Sequence, residues 1–141
     1  MTKATRIALF TALAAAALWS LKAFFIGLAG GLGQSPLEGP LFLAGLATFM
    51  AAAVAIGVAL TRGRPTWVRA LVGVAAPVVA FLSAMALDAL VATFRTTEEG
   101  RHWVWSEVNL WVTAAAAVAL AVTARRRELS ADPKREHQPQ R

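Results

Sequence analysis

Residues 17–33, ALWSLKAFFIGLAGGLG, place a lysine within a stretch that is otherwise apolar enough to enter a membrane. Moving an ammonium group to the centre of a membrane span costs about 2.5–3.5 kcal/mol on insertion scales. Lys22 must therefore extend to an interface, face water or pair with a carboxylate. Which carboxylate could reach it is the most informative question that this sequence raises.

The composition is typical of a multi-pass membrane protein. Of the 141 residues, 57 % are hydrophobic and 16 % are charged, whereas about 25 % are charged in an average soluble domain. The formal net charge of +6 comes mainly from segments that flank apolar runs, so it indicates membrane topology and not a nucleic-acid partner. With no cysteine and only two histidines, the sequence predicts no metal site and no cofactor.

Four apolar stretches have the length of about 20 residues that a transmembrane helix requires. They predict an all-α membrane domain over residues 1–127 and a charged cytoplasmic tail over residues 128–141, which we expect to be disordered. The first stretch also resembles a signal peptide, but its hydrophobicity resumes after Lys22, which favours a retained span. The four predicted spans are residues 7–32, 41–61, 68–94 and 103–124.

The distribution of basic residues predicts the orientation of the four spans. If both termini lie inside, eleven Lys and Arg residues fall on the inner side and three, including Lys22, fall elsewhere. Basic residues are retained on the cytoplasmic side, so this bias favours an up-down-up-down bundle with both termini in the cytoplasm. The alanine-rich and arginine-rich usage is typical of a high-GC bacterium, which predicts the bacterial inner membrane.

The helical rise predicts that several polar residues share one depth in this bundle. Counted from the basic residues that flank their spans, Lys22, Asp88 and Glu107 lie about 24, 28 and 27 Å up a core that is about 30 Å thick. Glu38 lies in the outer connector, and Asn109 follows Glu107 on the fourth span. The sequence therefore predicts a polar cluster of these five residues near the outer face of the membrane.

Three interpretations of this cluster remain open at this point. Lys22 could extend outward along its own methylene stem and leave the carboxylates to other roles. It could instead form a structural ion pair with Asp88 or with Glu107 that fixes the order of the helices. In the third interpretation the cluster is a working site that binds an ion, a proton or a small ligand.

Four tryptophans mark the predicted boundaries of the membrane. Trp67 follows the basic turn between the second and third spans, and Trp103, Trp105 and Trp111 lie at the start of the fourth. Tryptophan is enriched where hydrocarbon meets the headgroups, so we predict that all four are interface anchors. A role in stacking on a ligand is the alternative.

The motifs of the common enzyme classes do not occur in this sequence. It contains no Walker loop, GxSxG elbow, HExxH or CxxC pattern, so we expect no enzymatic activity. In length and number of spans the chain resembles the small multidrug resistance transporters, which depend on an acidic residue in the first span. The first span of this chain carries Lys22 and no acid, and we therefore do not assign it to that family.

The sequence favours an accessory or interaction subunit that packs in the bilayer against itself or against another membrane protein. The alternative is a small ion- or proton-coupled channel or transporter that uses Lys22, Asp88 and Glu107. A third hypothesis is a membrane enzyme that acts on a lipid or a quinone.

Overall fold

The computed structural model describes residues 1–94 and 103–131, and these residues form four long helices. Each helix is long and apolar enough to cross a membrane, which confirms the predicted all-α fold class with four candidate spans. Residues 95–102 and 132–141, which include the predicted outer loop and most of the predicted tail, lie outside the described residues. The helices are α1 (Lys3–Ala29), α2 (Glu38–Leu60), α3 (Thr66–Phe94) and α4 (Val104–Ala131).

Helix α1 ends three residues before the predicted limit of its span because a glycine stops it. Gly30 adopts a φ of 86° in the left-handed region, and its N–H group donates to the carbonyl of Gly27. Residues with a Cβ adopt this conformation at an energetic cost that glycine does not pay. The glycine-rich end of the first predicted span is therefore the start of the connector to α2.

Helix α4 continues beyond the predicted end of its span. It passes through Arg125, Arg126 and Arg127 and includes residues 128–131, which the sequence assigns to a disordered tail. A run of arginines marks where a chain leaves the hydrocarbon, but arginine is a good helix former and does not end a helix. The side chain of Glu128 also bonds to other parts of the chain, which holds this last turn.

Helices α1 and α4 bury stripes of residues that repeat at intervals of three and four. This heptad spacing keeps one narrow face of each helix towards its neighbours. Three of the seven residues in the α1 stripe and four of the five in the α4 stripe are alanine, which lets the helix backbones approach closely. The buried stripe of α1 is Thr5, Ala8, Ala12, Ala15, Trp19, Lys22 and Ile26, and that of α4 is Glu107, Ala114, Ala117, Ala121 and Ala124.

Trp19 is the largest buried side chain in this core, and it depends on a glycine of α2. A Cβ atom added to Gly45 would overlap the Trp19 indole ring. The indole also packs against Phe49, with ring centroids 5.5 Å apart, and its Nε1–H donates to the carbonyl of Phe42 at 3.4 Å. One tryptophan thus joins α1 to α2 by shape and by a hydrogen bond.

Helix α3 is much less buried than the other three. In the most apolar 18-residue stretch of each helix, only 6 % of α3 is buried, against 33 % of α1, 39 % of α2 and 33 % of α4. Its main contact is with α2, where Gly57 faces Val72 and Ala76. A groove of about 540 Å³, called here the α3 groove, lies between α3 and the surfaces of α2 and α4.

Replacement of Gly45 by alanine is expected to destabilise the bundle because the added methyl group collides with Trp19. Overpacking of this kind costs about 1–3 kcal/mol, which thermal denaturation of the purified protein in detergent would detect. Gly39→Ala is the matched control on the same helix, since a Cβ atom there meets nothing within 4 Å. Equal melting temperatures for the two variants would contradict this packing.

Candidate functional site

Lys22 is buried in the bundle and forms an ion pair with Glu107. The Lys22 Nζ atom lies 2.5 Å from Glu107 Oε1, and the two residues are only 6 % and 1 % exposed. Lys22 comes from the buried stripe of α1 and Glu107 from that of α4. The sequence leaves three environments open for Lys22, which are an interface, water or a carboxylate partner. In the structure Lys22 pairs with a carboxylate.

The ion pair leaves one oxygen of the Glu107 carboxylate unsatisfied. Oε2 is buried and accepts no hydrogen bond from the residues that the structure describes. On the other side, the ammonium group lies 5.9 Å from the centroid of the Phe42 ring, which adds a cation–π attraction. The two charges thus cancel within the bundle, although one carboxylate oxygen lacks a hydrogen bond. Loss of either partner would leave the other charge buried and unpaired.

Asp88 and Asn109 form a second polar contact, between α3 and α4. The Asn109 side-chain amide donates to Asp88 Oδ1 at 3.1 Å. Both residues line a cavity of about 220 Å³ whose other walls are mainly apolar, including Phe81 and Met85 of α3. Asp88 therefore links the weakly packed α3 to the rest of the bundle, and it is Glu107 that pairs with Lys22.

Glu38 forms a hydrogen bond with the connector between α1 and α2. Its Oε2 atom accepts the backbone N–H group of Gly33 at 2.8 Å, and Glu38 is the first residue of α2. It also lines a cavity of about 450 Å³ together with Lys22. The five residues of the predicted cluster thus occur as an ion pair, a hydrogen-bonded pair and a carboxylate that bonds the connector.

Glu128 forms a polar contact that the sequence analysis did not identify. Its Oε1 atom lies 2.9 Å from Arg62 Nη1 and 3.9 Å from the amino-terminal nitrogen, and it accepts the N–H group of Thr2 at 2.5 Å. The contact joins the start of α1, the turn after α2 and the end of α4. Glu128 directly follows three arginines, and this isolated carboxylate among basic residues is the signal that could have pointed to it.

The four predicted anchor tryptophans lie in different environments. Trp67 at the start of α3 is 69 % exposed, and Trp105 and Trp111 of α4 are also exposed. Trp103 is partly buried, and its ring lies close to the backbone of α1 at Gly27. The buried tryptophan of the core is Trp19, which the sequence analysis did not distinguish from the rest of its span.

The chemistry available to these residues is ionic pairing and hydrogen bonding. Among the described residues, no group of three or more His, Cys, Asp and Glu side chains is arranged to hold a metal ion. The chain matches no family model, no curated protein sequence and no solved structure.

Removal of either partner of the Lys22–Glu107 pair is expected to destabilise the protein, because it leaves the other charge buried and unpaired. Lys22→Met and Glu107→Gln should each lower the free energy of unfolding by about 3–5 kcal/mol, and the double variant should recover much of that loss. The measurement is denaturation in detergent analysed as a double-mutant cycle. Lys22→Met combined with Asp88→Asn is the control, and a coupling energy as large in that cycle would contradict the pairing.

Proposed function

We propose that this chain is a small integral protein of the bacterial cytoplasmic membrane, with four spans that run up-down-up-down and both termini in the cytoplasm. The contact of Glu128 with Thr2 and Arg62 supports this arrangement, since it joins the start of α1 and the end of α4 to the turn between α2 and α3. The exposed basic residues near this contact support a cytoplasmic assignment for it. They include Lys3, Arg6, Arg64, Arg69, Arg125, Arg126 and Arg127.

Within that membrane, the proposed role is a non-catalytic accessory or interaction subunit that assembles with a second copy or with another membrane protein through α3. The observation that carries this proposal is the low burial of α3, since only 6 % of its most apolar 18-residue stretch is buried. A helix that its own chain covers so little has most of its surface available to a neighbour. Its exposed apolar residues include Leu71, Val74, Val78, Val79, Phe81, Leu82, Met85 and Leu90.

The residues that line the α3 groove favour contact with a partner helix over contact with lipid on this side of the bundle. Lipid chains and apolar side chains are equally hydrophobic, so helices associate in a membrane where small residues allow close van der Waals packing. The α3 groove is lined by such small residues of α3 and α4. They are Ala75, Ala76, Ala80 and Ala84 of α3 and Ala116 and Ala117 of α4.

The middle of the bundle supports this role over that of a channel or transporter. Between the Lys22–Glu107 pair and the Glu128 contact, the buried residues of α1 and α4 are almost all alanine. Conduction of an ion or a proton needs polar groups or water along the pathway, and transporters bind their substrates near the midplane. The enzyme hypothesis also loses support, because Glu107 is paired and 1 % exposed.

A photoreactive amino acid at position 79 is expected to cross-link this chain to a protein in native membranes. Val79 is exposed and lines the α3 groove, so p-benzoylphenylalanine in its place should give adducts with a second copy or with another membrane protein. The readout is the mass of the adducts after irradiation of cells. The same residue in place of Leu13, which is also exposed but lies on α1, is the control, and lipid adducts alone at both positions would contradict the proposal.

Reconstituted liposomes are expected to show no proton flux beyond that of protein-free liposomes, because the buried residues of α1 and α4 between the two polar contacts are almost all alanine. The measurement is the response of an internal pH dye to an imposed potassium diffusion potential. Glu107→Gln should leave this baseline unchanged. A flux that depends on the protein and disappears in that variant would favour the transporter hypothesis instead.

A further inference from the structure

A cavity that carries both signs of charge lies where the connector between α1 and α2 meets the bundle. It has a volume of about 450 Å³ and is lined by Lys22, Gly33, Ser35, Glu38, Gly39 and Phe42. We infer that this cavity binds a zwitterion with a primary ammonium group and a phosphate or carboxylate group. The phosphoethanolamine headgroup of a lipid and a free amino acid both have this chemistry.

The anionic part of the ligand is recognised by Lys22 and Ser35. The Lys22 ammonium has three N–H donors, of which one bonds to Glu107 Oε1. No other acceptor for this group occurs among the described residues. The Ser35 hydroxyl oxygen accepts the N–H group of Leu37, which leaves the hydroxyl hydrogen free to donate. Both residues line the cavity, and their remaining donors suit a phosphate or carboxylate oxygen.

The cationic part of the ligand is recognised by Glu38. Its Oε2 atom accepts the N–H group of Gly33, whereas Oε1 accepts no hydrogen bond within residues 1–94 and 103–131. An ionised carboxylate accepts hydrogen bonds at both oxygens and binds N–H donors of a cation strongly. A primary ammonium supplies such donors, but the trimethylammonium group of choline has none.

The donors and acceptors of the cavity favour a ligand with both charges over a lone ion. The charges of Lys22 and Glu107 cancel within their ion pair, so Glu38 leaves the site with one net negative charge. A lone anion would be repelled by Glu38, and a lone cation would leave the remaining Lys22 donors unsatisfied. A ligand with both charges satisfies both walls without adding net charge to a partly buried site.

The position of the cavity along the helices suits a lipid headgroup. Glu38 is the first residue of α2, and Lys22 lies seven residues before the end of α1 at Ala29, a rise of about 10 Å. The headgroup layers lie at the ends of membrane-spanning helices, outside a hydrocarbon core about 30 Å thick. A headgroup in the bilayer and an amino acid in the adjacent water could both enter at this level.

The test is isothermal titration of the full-length protein in detergent with two soluble lipids, dihexanoyl-phosphatidylethanolamine and dihexanoyl-phosphatidylcholine. The ethanolamine lipid is expected to bind with a Kd at least tenfold lower, because only its ammonium donates to Glu38. Titrations with glycerophosphoethanolamine and with L-alanine distinguish the two sources of the zwitterion. Binding of the first without the second indicates a lipid headgroup, and the reverse result indicates a free amino acid.

Two variants examine the cavity itself. Gly39→Leu fills it, since a Cβ atom at Gly39 meets nothing within 4 Å, and Glu38→Gln removes the charge but keeps an acceptor for Gly33. Each should weaken binding of the preferred ligand at least tenfold while helicity by circular dichroism stays unchanged. Asp88→Asn is the control, because it removes a carboxylate that does not line this cavity.

The inference is overturned if the choline lipid binds as tightly as the ethanolamine lipid. It is also overturned if ethylamine or inorganic phosphate alone binds as tightly as the zwitterion, if none of the probes binds, or if Gly39→Leu binds like the parent. These outcomes concern only the cavity beside Lys22, and they are independent of the cross-linking result for α3.

Discussion

The buried ion pair between Lys22 and Glu107 constrains the rest of the bundle. Two opposite charges at 2.5 Å with almost no exposed surface are tolerable in hydrocarbon only if α1 and α4 keep one rotation and one axial position relative to each other. Many alternative arrangements of alanine-rich helices have similar packing energies, because alanine faces are nearly interchangeable. The ion pair distinguishes among them, since a wrong rotation or register would bury an unpaired charge.

Two further polar contacts of α4 also restrict how the helices pack. Glu128 fixes the far end of α4 against the start of α1 and the turn that contains Arg62, and the Asn109 amide fixes Asp88 of α3 to α4. Trp19 adds a constraint of shape, because its indole fits only where α2 has Gly45. The alanine stripes supply close contact between these points, while the polar and aromatic residues decide which contacts form.

Helix α3 is held in a different way from the other helices. Its burial is low, its main apolar contact is with α2, and its contact with α4 includes the polar pair of Asp88 and Asn109. The low burial of α3 beside the more buried α1, α2 and α4 is the feature on which the proposed role as an assembling subunit rests. The cavity beside Lys22 and Glu38 is a separate feature, formed by α1, α2 and their connector.

The sequence by itself determined how many helices could span a membrane and approximately where each begins and ends, because hydrophobicity and glycine act locally. It also predicted that Lys22, Glu107 and Asp88 share a depth, because depth follows from the constant rise of a helix. Only the tertiary structure decided that Lys22 pairs with Glu107 and Asp88 with Asn109, that Trp19 fits at Gly45, and that α3 is left largely uncovered. Those outcomes depend on the rotation of each helix about its axis, and in a chain with alanine on every face no local pattern specifies that rotation. It is set by the sum of packing and polar contacts between helices that are distant in sequence.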